Sequence, residues 1–324
     1  MDSPAPRAFK RARTEDGDAP IVRSDKIWYD DGNLVIQAER TQFRVHRGIL
    51  SKQSVFFRDM KDLPQPSNAA EALVDGCPVI ELQDEAEDVW YMLHCIYDTA
   101  LLTRPPSFPE LLTSLRMGHK YLVAVMFDSA ADRLRAEFPS AIERYSEVEF
   151  SRFTTSADNN HFELLPVVKA VGLETVMPAL YFFYVNFRSA PQIAAGCDIV
   201  DVDVCSRSSA VLPSAEDRLM LLVAFNKILR SQDEYSLRWI WKGSDSCSRP
   251  TMCDKARTEY REARFSVFDG TVDLCKWCTI TAKQLHEEGR DMFWKVLSSF
   301  FGLKPWEELR DFQIEWCEAI VLIA

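Results

Sequence analysis

Between residues 34 and 60 the hydrophobic pattern changes period, which restricts the fold more than any other feature of the sequence. Leu34, Ile36 and Ala38 alternate with Val35, Gln37 and Glu39, and Phe43 and Val45 lie opposite Gln42, Arg44 and His46. A repeat of two is that of a β-strand. Ile49, Leu50, Phe56, Phe57 and Met60 then follow a helical repeat, which predicts two short helices broken near Ser54. Upstream, Asp30-Asp31-Gly32-Asn33 has the composition of a tight turn after the β-like run Ile27-Trp28-Tyr29. Downstream, residues 79 to 82 (VIEL) predict another strand. Val89, Met92, Leu93, Ile96 and Tyr97 then fall on one face of a helix whose N-terminal end carries Asp84, Glu85, Glu87 and Asp88, the sign that the helix dipole favours there. Leu111, Leu112, Leu115 and Leu122 predict a second helix, and Val125 through Phe138 a third, with a boundary at Pro139. Strands followed by helices on this scale make an α+β unit.

The chain has 324 residues, room for two domains. Residues 1 to 23 are rich in Pro, Ala and charge without apolar periodicity, and read as a disordered tail. Residues 24 to 139 form the α+β domain, and residues 140 to 324 read as a mainly α-helical domain. Val176 to Phe187 (VMPALYFFYVNF) fits a buried core helix, since a membrane span needs about 20 apolar residues. Ser214 to Asp217 has capping-box form before the apolar run Leu219 to Phe225, which predicts a helix central to a bundle. Glu287 to Phe301 and Leu309 to Ile323 predict two more, the last with Leu309, Phe312, Trp316, Ile320 and Ile323 on one face.

The segment Phe43 to Met60 (FRVHRGILSKQSVFFRDM) resembles the core motif of BTB/POZ domains, in which F-x-V-H-x-x-x-L precedes S-x-F-F and a Met. The motif positions here are Phe43, Val45, His46, Leu50, Ser54, Phe56, Phe57 and Met60. Residues 79 to 82 and the helix ending in Ile96-Tyr97-Asp98 are similar to that family's next strand and helix. Trp28 to Asn33 (WYDDGN), Asp75 to Pro78 (DGCP) and Ser298 to Leu309 (SSFFGLKPWEEL) resemble the expanded set of BTB-domain proteins of mushroom-forming fungi. The resemblance implies an interaction module that self-associates as a homodimer or recruits protein partners, some as substrate adaptors of cullin-type ubiquitin ligases. It also implies that His46 is structural, at a strand-to-helix corner. No metal or catalytic partner lies at ligand spacing from it, which agrees.

Of nine cysteines, Cys247-x5-Cys253 and Cys275-x2-Cys278 are grouped as metal ligands would be. Cys-x2-Cys lets two thiolates reach one ion from a single turn, and a second pair completes a tetrahedral site. Three readings stand: a structural zinc ion, inert buried thiols, or a redox dithiol. The last lacks the βαβ surroundings such motifs occupy. A zinc held by four thiolates has no open position for substrate, so it would be structural. Cys77, Cys95, Cys197, Cys205 and Cys317 read as packing or loop residues, and no disulfide framework is expected.

There are 49 acidic and 38 basic side chains, a net charge of −11, which disfavours nucleic acid as a partner. The reading that follows is a protein-binding scaffold, intracellular because no secretory signal opens the chain, and without a membrane span. A second reading is a zinc-containing nuclear regulator, using Lys10, Arg11 and Arg13 for import, though such a cluster also suits a solvated tail. No P-loop, dinucleotide fingerprint, G-x-S-x-G or H-E-x-x-H occurs, so no enzyme and no cofactor beyond zinc is expected.

Overall fold

The computed structural model describes residues 20–60, 73–147, 161–197, 212–263 and 272–315. It divides into two compact units, residues 1–103 and 104–324.

In the first unit the described strands are β1 (Val22–Trp28), β2 (Leu34–Ala38), β3 (Thr41–Val45), β4 (Leu73–Val74) and β5 (Cys77–Leu82). They form a five-stranded sheet in the order β1-β3-β2-β5-β4. The run before the tight turn does not make a hairpin with the run after it. Instead β1 pairs in parallel with β3, while β2 and β3 are antiparallel. β1 also takes in Val22 and Arg23, two residues whose composition had placed them in the tail. Gly32 is needed in the turn, because a Cβ there would meet Arg44 Cγ and the Tyr29 carbonyl at 2.9 Å. β2 pairs in parallel with β5, and this central position buries both of its faces: Leu34, Val35 and Ile36 are all buried. Asp75 and Gly76 both have positive φ, as the two-residue turn of the β4–β5 hairpin requires.

Helices α1 (Arg47–Gln53) and α2 (Val55–Met60) follow β3, and α3 (Ala86–Tyr97) packs on β1 and β2. Val89, Met92, Leu93 and Ile96 of α3 are buried, as their spacing predicts. A 3-10 turn, Thr99–Thr103, ends the unit.

The second unit is helical. It opens with α4 (Phe108–Lys120) and α5 (Ala124–Glu137). Ser107 and Glu110 cap α4 with a reciprocal capping box. Leu122, expected within the first of these helices, lies beyond it with φ of 51°. Gly118 allows the two helices to touch, since a Cβ would lie 2.9 Å from the Phe127 amide nitrogen. Further along come α6 (Ile142–Glu147), α7 (Leu164–Ala170), α8 (Met177–Phe187) and α9 (Ala190–Ala195). α8 is buried along most of its length, as its composition predicts. No helix among the described residues is long and apolar enough to cross a membrane.

The remaining helices are α10 (Ala215–Glu234), α11 (Arg238–Trp241), α12 (Pro250–Ala263) and α13 (Lys276–Phe300). α10 is less central than its apolar run suggests: Leu221, Ala224 and Ile228 are buried, but Leu219 and Val223 are exposed. Only the stripe at helical spacing meets the core, and the residues between fall outside it. α13 starts eleven residues before the predicted Glu287. Gly289 sits so close to the preceding chain that a Cβ would lie 2.2 Å from the Tyr235 carbonyl oxygen. Its C-terminal half puts Phe293, Trp294 and Leu297 into the main core with α4, α5, α7, α8 and α10.

The predicted helix from Leu309 does not form over Leu309 to Glu315. After the 3-10 turn Trp306–Glu308, Leu309 is extended and no helix follows through Glu315. The chain forms a bridge between Asp311 and Leu173, and the Phe312 amide donates to the Gly172 carbonyl at 2.9 Å. Asp311 accepts from the Thr175 amide and from Arg135 Nε, both at 2.8 Å, and these bonds replace a helical ladder. Trp316, Ile320 and Ile323 lie outside the described residues, as do most of the tail at 1–23 and residues 61–72.

Candidate functional site

Two helix N-termini bring the four candidate cysteines together. Cys247 lies in the loop after α11, where its amide donates to the Ser244 carbonyl at 3.1 Å. Pro250 starts α12, a position where its missing N–H removes no helical bond, so Cys253 falls in the first turn. Cys275 is the N-cap of α13 and Cys278 lies in its first turn. The x5 spacing of the first pair thus spans a loop and a helix start. The four sulfurs lie within 4.8 Å of one another, and Cys247 Sγ is 3.8 Å from Cys275 Sγ. Cys253, Cys275 and Cys278 are buried with Trp239, Ile240, Leu274 and Ala282 in a small core of their own, and Cys247 is half-buried.

Two of the cysteines are shifted in opposite directions. The Cys278 and then the Ser248 amide hold Cys275 down to about 5. The Cys275 amide itself donates to Cys253 Sγ at 3.2 Å. Cys247 moves the other way, to about 12, through loss of solvent and the thiols beside it. Four sulfurs this close cannot all ionise unless a cation joins them. The donor set fits zinc: a Zn–S bond of about 2.3 Å gives a tetrahedron edge of about 3.8 Å, the Cys247–Cys275 separation. The widest pair needs to close by about 1 Å.

The spacing gave no hint of Arg257. It lies on α12, one turn beyond Cys253, with Nη1 3.8 Å from Cys278 Sγ and Nη2 3.1 Å from Asp254 Oδ1. Arg249 and Asp273 pair at 2.9 Å, tying the two cysteine segments together.

The other cysteines divide differently. Cys77 and Cys95 are buried and not disulfide-bonded. Cys197, expected as a packing or loop residue outside any disulfide, is buried but disulfide-bonded. Pairing depends on proximity in space, which sequence spacing does not give. Cys205 and Cys317 lie outside the described residues.

In the first unit, Phe43, Val45, Leu50 and Phe57 are buried and Met60 is half-buried. Ser54 is buried because it caps α2, its Oγ accepting from the Phe57 amide at 3.1 Å. Phe56 is 37% exposed and Ile49 of α1 is also exposed, so the same motif leaves apolar side chains on the surface. His46 holds the corner between β3 and α1. Its amide donates to Tyr97 Oη at 2.8 Å, its Nδ1 lies 2.9 Å from the same oxygen, and its Nε2 lies 3.0 Å from Asp31 Oδ1. The His46 bond is the main reason the Asp31 carboxyl is held below its usual range, and burial pushes Tyr97 up to about 12. Tyr29 stacks on Tyr97 with ring centroids 4.6 Å apart. Neither Asp31 nor Tyr97 lies near His46 in sequence. The one available signal was Tyr97, closing the apolar face of α3.

Residues 30–137 match the BTB/POZ domain family. The chain therefore carries an N-terminal BTB/POZ domain, a protein-interaction module, followed by a helical region. No curated protein matches the chain.

Proposed function

We propose that this chain is a protein-binding scaffold whose BTB/POZ domain self-associates or recruits a partner protein. The observation that carries this reading is the match of residues 30–137 to that family. The surface chemistry supports it. β1 occupies the edge of the sheet, and Ile21 and Val22 at its start are exposed. An edge strand offers unpaired backbone groups to a second chain, and exposed apolar side chains reward covering. On resemblance we place the chain in the BTB set of mushroom-forming fungi. Light scattering coupled to size exclusion, with a pull-down from native extract, tests the role. We expect a mass of two 37.2 kDa chains or a stoichiometric partner, and a strict monomer that captures nothing overturns it.

Within the same reading, Cys247, Cys253, Cys275 and Cys278 hold a structural zinc ion. Bound there, the ion would join the loop after α11 to the start of α13 and add its binding energy to folding. Four thiolates fill a tetrahedral shell, so the centre has no catalytic position. Metal analysis of the purified full chain should give one zinc per chain, lost in Cys278→Ser. A metal-free wild-type protein purified under reducing conditions overturns the zinc.

A further inference from the structure

We infer that Arg257 is the charge-compensating residue in direct contact with the metal ligands, and that Gly243 is kept small to seat its guanidinium. This rests on the four-thiolate zinc reading. Four thiolates around a divalent ion carry a formal charge of −2, and the small core of Trp239, Ile240, Leu274 and Ala282 offers little to solvate it. Backbone amides supply part of the compensation, as the Cys275 N–H does for Cys253 Sγ. Positive charge comes from two arginines: Arg249 acts on Cys253 and Cys275 but is more exposed and is paired with Asp273, whereas Arg257 touches a ligand sulfur directly. Its side chain is only 13% exposed, and its Nη1 lies 3.8 Å from Cys278 Sγ. Its carboxylate partner, Asp254, is 76% exposed, so water screens that pair and the guanidinium keeps most of its charge for the sulfur.

Gly243 supplies the independent observation. A Cβ built there would lie 2.6 Å from Arg257 Nη1 and 3.0 Å from Cζ. The guanidinium therefore fills the space left by the missing side chain, packed between the Gly243 backbone and the Cys278 sulfur. Loss of a group that touches a ligand in this way typically costs about ten- to a hundredfold in metal affinity.

The test is a competition between the full-length protein and a chromophoric chelator for zinc, with cobalt substitution to read the ligand set. Arg257→Met should weaken zinc about ten- to a hundredfold, and Gly243→Ala, which shifts the guanidinium without removing its charge, by less. The cobalt complexes should keep the sulfur charge-transfer band and tetrahedral d–d intensity of the wild type, which shows that all four thiolates still bind. Arg257→Lys should recover part of the affinity, and Asp254→Asn should stay within about threefold of wild type. Thiol alkylation of the zinc-loaded protein should also speed up in Arg257→Met, because the uncompensated thiolates are more nucleophilic. Wild-type zinc affinity in Arg257→Met overturns the assignment while leaving the metal centre intact. Absence of a four-sulfur cobalt spectrum in the wild type overturns the metal reading itself, and this inference with it.

Discussion

The backbone amide and the imidazole Nδ1 of His46 converge on one atom, the Tyr97 hydroxyl, at 2.8 and 2.9 Å. The amide donates to the hydroxyl oxygen, Nδ1 lies within hydrogen-bond distance of the same oxygen, and the other ring nitrogen, Nε2, faces Asp31 Oδ1 at 3.0 Å. A turn, a strand-to-helix corner and the end of α3 are thus tied by one histidine and one tyrosine. The tie explains a histidine at this point of the motif without catalysis or metal.

Tyr97→Phe keeps the stacking on Tyr29 but leaves the His46 amide and Nδ1 without their partner. The unfolding free energy should fall by about 1–2 kcal/mol, the cost of part-buried polar groups left unsatisfied. Urea denaturation checks this, and a change below about 0.3 kcal/mol would mean that water replaces the hydroxyl.

The N-terminus of α4 should titrate. Arg104 pairs with Glu110 and, with the Ser107 amide and hydroxyl, holds its carboxyl down to about 2. The folded value lies below the unfolded one, so this stabilisation is fully present above about pH 4.5 and lost as pH falls through about 2. Urea midpoints measured from pH 6 to pH 2 should fall more steeply for the wild type than for Glu110→Gln. The variant should already be weaker at pH 6.

Two glycines predict opposite outcomes for the same substitution. At Gly118 a new Cβ meets Phe127 backbone atoms at 2.9 and 3.0 Å, so Gly118→Ala should cost about 1–3 kcal/mol. At Gly48, within α1, nothing lies within 4 Å of a Cβ. Gly48→Ala should stabilise by about 0.5–1 kcal/mol through helix propensity. Thermal unfolding of the pair is sufficient, and a Gly118→Ala protein as stable as wild type would refute the close approach of α4 and α5.

Asp311 holds the non-helical segment that replaces the expected last helix. Its carboxylate accepts from Arg135 and from both the amide and hydroxyl of Thr175, and its side chain is almost wholly buried. Asp311→Ala should cost about 2–4 kcal/mol, and Asp311→Asn less, because the amide oxygen still accepts. Limited proteolysis should then cut first within residues 303–315, and unchanged protection there would sink the idea.

Much of the first unit is readable along the chain. Val89, Met92, Leu93 and Ile96 repeat at helical spacing and are buried, and Phe43 and Val45 repeat at strand spacing and are buried too. The Cys-x2-Cys pair was likewise visible, because a helix N-terminus places residues three apart on one side. Leu309 and Phe312 carry a helical spacing in a segment that is not helical. Periodicity records only a local preference, and here the bonds that Asp311 makes to Thr175 and Arg135 decide the conformation in place of a helical ladder.

The chain's own pattern determined strands β2, β3 and β5, the period switch at His46, the α3 helix, a helical second half and a set of four cysteines that could share an ion. Those properties arise between residues close in sequence, where backbone geometry fixes which side chains share a face. Folding alone established the parallel pairing of β1 with β3, the grip of His46 on Tyr97, the meeting of Cys247 with Cys275 and the placing of Arg257 against Cys278. Each joins residues from different elements, and no local repeat encodes which elements will be neighbours.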